Sequence, residues 1–297
     1  MKKTIITVLT IMLLAAMLLS GCAGGSGDKT IVVGAKDYTE QDILGNMLSV
    51  MLEENTDLTV EYKHEMASNV LFAALQSGDV DVCIDYTGTI YGNYLSYSDI
   101  KTADEVYDIS VKEMSEKYQL DVLKSLGYNN TYCLAVRPET AEQYNLKTYS
   151  DLAKVSSDMV FGGGFEILNR NDGIPNLKKT YNMTFKEELA VESVLRYEAI
   201  QKNETQVTEA FSTDGMLLQY NLVVLEDDLN FFPPYHAVPV IRQDTAKQHP
   251  DVVKELDKLA NAITDEQMRE LNYQVDVEKK NPREVATAFL KSAGLIK

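Results

Sequence analysis

Tryptophan is absent from this chain, and histidine and cysteine occur only three times each. His64, His236 and His249 are scattered and lie outside any HExxH or CxxC frame, which argues against a zinc or other transition-metal site. There is no GxSxG elbow, no P-loop and no Cys-His pair at a defensible spacing. The common catalytic frames are therefore missing, and neither enzyme activity, cofactor nor metal is expected. Basic residues are scarce as well: 28 Lys and Arg stand against 45 Asp and Glu, for a formal net charge of −17. A body this acidic repels phosphate backbones, which excludes nucleic acid as a partner and mildly favours cationic small molecules. After Cys22 the cysteines are Cys83 and Cys133, too few for a disulfide scaffold. Both sit in apolar, strand-like surroundings, so buried thiols are expected, although a bridge between them stays open.

Long apolar runs are also missing, with one exception at the start. Met1-Lys2-Lys3 precedes an apolar run from Ile5 to Leu19, and "LLSGC" then ends at Cys22. A basic start, an apolar core and small residues before a cleavage point mark a secretory signal, and the run is short for a membrane span. The cysteine after Leu-Ser-Gly resembles a bacterial lipobox. Residues 1–21 are thus expected to be a lipoprotein signal and Cys22 the lipidated residue. Residues 22–29, rich in glycine and serine, read as a flexible tether. The expected location is extracytoplasmic, lipid-anchored to the bacterial cell membrane.

Beyond the tether, strand and helix signals alternate. "KTIVVGAK" reads as a strand, and "EQDILGNMLSVMLEEN" places Ile43, Leu44, Met47, Leu48 and Met51 on one helical face. "LTVEY" is a strand, "SNVLFAALQSGD" a helix with Ser68 or Asn69 at its N-cap, and "VDVCIDY" a third strand. That order predicts a mostly parallel sheet covered by helices, with ligands beyond the strand carboxyl ends. A helix around 103–118 and the strand "TYCLAV" lead into a second α/β unit, and "FFPPYHAVPVIR" reads as the return crossing. The tail is helical, with Val285, Phe289 and Leu290 facing inward. The expected fold is α/β and bilobed, like a periplasmic binding protein: two α/β domains joined by two hinge crossings, lobe 1 being 30–134 with 238–297 and lobe 2 being 135–237.

Abundance points the same way as scarcity, because the chain holds 17 tyrosines. "GAKDYTEQ", "DYTGT", "YNNTYCLAV", "NRNDGIPNL", "STDGMLLQYNLVVLEDD" and "FFPPYHAVPVIR" occur in that order over nearly the whole chain after the tether. Together they resemble the substrate-binding lipoproteins of osmoprotectant ABC importers, which capture glycine betaine, carnitine, choline and related quaternary amines. The resemblance implies an extracytoplasmic monomer that delivers its ligand to a transmembrane permease with a cytoplasmic ATPase.

It also implies site residues. The family's ammonium cage is built from tyrosines, and its motifs map onto Tyr86, Tyr132, Tyr220 and Tyr235. A trimethylammonium group has no N–H to donate, and aromatic faces attract it by about 0.5–2 kcal/mol each. For the carboxylate end the resemblance points to Lys36 and Arg170, with Gln41, Ser68 and Asn69 adding hydrogen bonds. Arg170 offers the better geometry because a guanidinium meets a carboxylate bidentately. Thr89 stands where some choline-preferring relatives carry an acid, and a neutral residue there leans toward betaine-type zwitterions. The chain departs from the family pattern at "MASN" and at Ile167. Tyr62, Tyr91, Tyr94, Tyr97, Tyr107, Tyr118, Tyr181 and Tyr273 are read as packing residues. Two other readings are the same scaffold retuned to another small amine and a surface lipoprotein with no transport role.

Overall fold

The computed structural model describes residues 29–97, 99, 101–169, 173–191 and 194–297. Cys22 and Arg170 lie outside the described residues.

Among the described residues ten strands form two five-stranded sheets. The first has the order β2-β1-β3-β10-β4, from β1 (Thr30–Lys36), β2 (Thr59–Met66), β3 (Val82–Tyr86), β4 (Leu120–Val122) and β10 (Ala237–Arg242). β1 runs parallel to β3, while β10 is antiparallel to both β3 and β4. The second has the order β7-β6-β8-β5-β9, from β5 (Tyr132–Val136), β6 (Val160–Gly163), β7 (Glu187–Ala190), β8 (Val207–Phe211) and β9 (Val223–Val224). Here β6 is parallel to β7 and β8, and β5 is antiparallel to β8 and β9.

Side-chain alternation along a strand explains why both faces of each sheet are covered. Val82 and Ile84 point into a core shared with Ile43, Leu44, Met47 and Leu48 of the helix Thr39–Asn55. Cys83 between them points to the opposite core, with Leu71 and Leu75 of the helix Ser68–Ser77. The same parity splits β5: Leu134 and Val136 join one core of the second lobe, Cys133 and Ala135 the other. Both cysteines are free and buried. Burial first, with Asp214 adding to the rise, pushes the Cys133 thiol up to about 12. Val285, Phe289 and Leu290 of the final helix, Pro282–Ser292, are buried in the first lobe's core.

The two lobes are joined where the chain passes between β4 and β5 and again between β9 and β10. The crossings are laced together. Asn129 and His236 form an isolated antiparallel bridge, the Asn130 amide donates to the Tyr235 carbonyl at 3.1 Å, and the Thr131 hydroxyl donates to the Pro233 carbonyl at 3.0 Å. The sequence pattern ends lobe 1 at residue 134, whereas all of Tyr132–Val136 pairs within the second sheet. The crossing therefore precedes Tyr132. The helix Asp265–Asp276 braces this region from outside the crossings: Gly215 comes so close that an added Cβ would sit 2.6 Å from the Tyr273 backbone nitrogen.

Two smaller expectations change. The cap of the Ser68–Ser77 helix is Ala67, which offers no side-chain bond, and neither Ser68 nor Asn69 serves. β7 is an exposed edge strand without clean alternation, so its sequence carries little strand signal.

Candidate functional site

The carboxyl ends of β1, β3 and β8 and the amino ends of β5 and β10 all meet between the lobes. There they enclose a cavity of about 500 Å³. Tyr86 enters from the end of β3 and Tyr132 from the start of β5. Phe211 comes from the end of β8, directly opposite Tyr132 in the ladder, and Tyr235 from the second crossing. Tyr132 and Phe211 stack with ring centroids 4.7 Å apart, and Tyr132 also leans on Phe232 at 5.8 Å. Tyr38 and Thr89 complete the ring-lined part of the wall. Gly88 is what lets Tyr235 lie there: a Cβ on Gly88 would come within 2.7 Å of the Tyr235 ring and 2.8 Å of the Pro234 carbonyl.

The rest of the wall is polar and acidic, formed by Thr39, Glu40, Asn130, Thr131, Thr213, Asp214, Asn272 and Asp276. No lysine or arginine is among the described lining residues. Asp214 accepts from the Met216 amide at 2.9 Å and from the Tyr197 hydroxyl, with Arg196 at 3.8 Å. Asp276 accepts from the Thr39 hydroxyl at 2.5 Å. Burial raises the Asp276 carboxyl above the usual carboxylate range against that hydrogen bond, and Asp214 adds to the rise. Burial first, and then the Glu40 charge, push the hydroxyls of Tyr86 and Tyr128 well above the ordinary tyrosine value, so both stay neutral donors. Among the described residues no group of His, Cys, Asp and Glu is placed to hold a metal ion.

Tyr86, Tyr132, Tyr235 and Thr89 thus line one cavity. Tyr220 is not among its lining residues, because the short helix Met216–Gln219 turns its ring onto Tyr197, stacked at 5.5 Å. Lys36, expected at a ligand carboxylate, is instead paired with Asp85 at 2.5 Å, with 5% and 2% of the two side chains exposed. Its ammonium sits 5.3 Å from the centre of the Tyr86 ring. Gln41 supports the cavity from behind, donating to the Tyr86 hydroxyl at 3.2 Å and accepting from the Lys36 amide at 3.3 Å. Ser68 contributes a carbonyl to Tyr94, and Asn69 is exposed at the start of its helix. Neither lines the cavity. Sequence reasoning missed Phe211, Tyr38, Glu40 and Asn272. An aromatic at the carboxyl end of a strand was the available signal for Phe211.

Chemically, this is a cleft for a small cation with an apolar surface. It offers the π faces of Tyr86, Tyr132, Phe211 and Tyr235 together with the carboxylates of Glu40, Asp214 and Asp276.

Residues 29–292 match the family described as the substrate binding domain of ABC-type glycine betaine transport systems. The carnitine transport binding protein OpuCC of Listeria monocytogenes is 36% identical over 299 residues, covering 98% of this chain and 97% of that protein. The ergothioneine transport permease/ergothioneine binding protein EgtU of Helicobacter pylori is 35% identical over 98% of this chain and 53% of its own length. The crystal structure of a glycine betaine/carnitine/choline ABC transporter superposes with a TM-score of 0.87 at 31% identity, covering 90% of this chain and all of that one.

Proposed function

The chain belongs to the family of substrate-binding domains of ABC-type glycine betaine transport systems, and on that premise we propose that its cleft captures small quaternary ammonium solutes on the rings of Tyr86, Tyr132, Phe211 and Tyr235. The observation that carries this reading is the convergence of aromatic side chains from both sheets and a crossing on one acidic cavity. Two rings come from the second lobe and one from the first, so a ligand that touches all of them favours the closed cleft. Glycine betaine, carnitine, choline and ergothioneine share the trimethylammonium group that such rings attract.

Proteins of this kind hand their small ligand to a transmembrane permease powered by an ATPase, and the chain does so without turning its ligand over. Binding is expected to show first as thermal stabilisation. A ligand at 100 times its dissociation constant adds about 2.7 kcal/mol, so the melting temperature should rise with glycine betaine, carnitine or choline. An unchanged melting curve with every one of them would remove the reading.

The anchor is part of the same proposal. Cys22, behind its basic and apolar leader, receives lipid and holds the protein at the outer face of the cell membrane. Cys22→Ala is expected to give a folded protein that carries no lipid and is released from membranes. Covalent lipid on that variant would refute the assignment.

A further inference from the structure

The carboxylates among the described residues of the cavity wall, Glu40, Asp214 and Asp276, are not equally open to a ligand. Glu40 is only 3% exposed. Its Oε1 accepts from the Tyr86 hydroxyl at 2.6 Å, the Tyr128 hydroxyl at 2.8 Å and Asn130 Nδ2 at 3.0 Å. Its Oε2 accepts from Asn272 Nδ2 at 3.0 Å. Asp214 has a donor on each oxygen, the Met216 amide on Oδ1 and the Tyr197 hydroxyl on Oδ2, with Arg196 beyond. Asp276 differs. It is half-buried, its Oδ1 accepts from the Thr39 hydroxyl at 2.5 Å, and among the described residues nothing donates to its Oδ2. Burial keeps this carboxyl above the usual range in spite of Thr39 and Lys279, as expected of a charge short of partners. The side-chain oxygens of Asn130 and Asn272 also lack donors, but both are sealed from solvent. Asp276 is the open carboxylate of the wall.

A trimethylammonium head held on the rings can offset the charge of Asp276, but it has no N–H or O–H to give that oxygen. Only the rest of the ligand can. When the lobes close on a ligand without a donor, Oδ2 loses water and gains nothing, and a buried acceptor left unpartnered is costly. A hydroxyl placed beside it restores the bond in charge-assisted form. Sites of this kind discriminate sharply against analogues that lack the donor. We propose that Asp276 accepts a hydrogen bond from the tail of the bound cation, so that the cleft selects quaternary amines with a hydroxyl near the ammonium over those without one. The inference rests on the quaternary-ammonium reading above and narrows it to a ligand class. It makes Asp276 a specificity-determining residue.

The test is calorimetric titration of wild type and Asp276→Ala with matched pairs of ligands. Choline is set against propyltrimethylammonium, and carnitine against γ-butyrobetaine. The first of each pair carries a hydroxyl close to the nitrogen and the second carries none. Within each pair that binds, wild type should prefer the hydroxylated member by at least about tenfold, the low end for a charge-assisted bond. Asp276→Ala should weaken the hydroxylated members by about ten- to a hundredfold and the others less, through the lost charge alone. Asp276→Asn keeps the size of the side chain and should also shrink the preference, which keeps the question decidable if the alanine variant does not fold. A preference that survives both substitutions would put the acceptor elsewhere, and equal losses for both members of a pair would make Asp276 merely structural. Either result overturns the proposal, as does a wild-type preference short of about tenfold. If wild type binds none of the four, the quaternary-ammonium reading itself has failed and this proposal with it.

Discussion

Alanine in place of Tyr86, Tyr132 or Tyr235 is expected to weaken binding of glycine betaine and choline together, by roughly two- to thirtyfold per ring if each face contributes about 0.5–2 kcal/mol. Tyr132→Ala should lie at the upper end, because Phe211 stacks on that ring and loses its support. The double variant Tyr132→Ala/Phe211→Ala should bind neither ligand measurably. Phenylalanine at Tyr132 or Tyr235 keeps the π face and should cost much less. Phenylalanine at Tyr86 should cost more than at the other two, since the lost hydroxyl bonds both Glu40 and Gln41. Tyr220→Ala is the control, because that ring packs on Tyr197 and does not line the cavity. Titration of each variant against the same two ligands checks the set. Normal binding by the double variant, or a larger loss at Tyr220 than at Tyr132, would move the cage elsewhere.

The largest expected effect on stability comes from Lys36→Met. The Lys36 ammonium and the Asp85 carboxylate are both buried and 2.5 Å apart. Asp85 otherwise has the Tyr86 amide at 2.7 Å and the Tyr94 hydroxyl at 2.8 Å. Methionine matches the stem but leaves a carboxylate without its cation, and breaking a buried pair from one side costs about 3–5 kcal/mol. Chemical denaturation should show that loss as a lower midpoint with an unchanged slope. Asp85→Asn in the same background should recover part of it by removing the stranded charge. If Lys36→Met were as stable as wild type but selectively lost glycine betaine and not choline, the lysine would be serving a ligand carboxylate rather than Asp85.

Much of this architecture is legible in the chain because local pattern and tertiary demand agree. The run "VDVCIDY" specifies a strand, the helical spacing of Ile43, Leu44, Met47 and Leu48 specifies a helix with those residues buried, and both appear as read. Tyr86, Tyr132 and Tyr235 were legible through the motifs that carry the family resemblance, and they sit at strand ends and a crossing, where an α/β protein exposes side chains to its cleft. Phe211 was not, because its place depends on the β5–β8 register, which puts it opposite Tyr132. Glu40 was hidden by distance. Its four donors lie 46, 88, 90 and 232 residues away along the chain, and no local pattern brings them together. Tyr220 and Lys36 show the converse failure. A motif can place a residue near a site, but a short helical turn aims the Tyr220 ring at Tyr197 and a buried aspartate takes up the Lys36 ammonium.

The central claim is that the cleft recognises a methylated cation by its rings and buried charge. It is tested most directly by calorimetric titration of the wild-type protein with glycine betaine, carnitine, choline and, as the unmethylated comparison, glycine. The account predicts saturable one-site binding of at least one trimethylammonium compound, with a negative heat-capacity change from apolar burial, and no detectable heat from glycine. Binding of glycine as tight as that of the best quaternary compound, or no binding by any of the three, would contradict it.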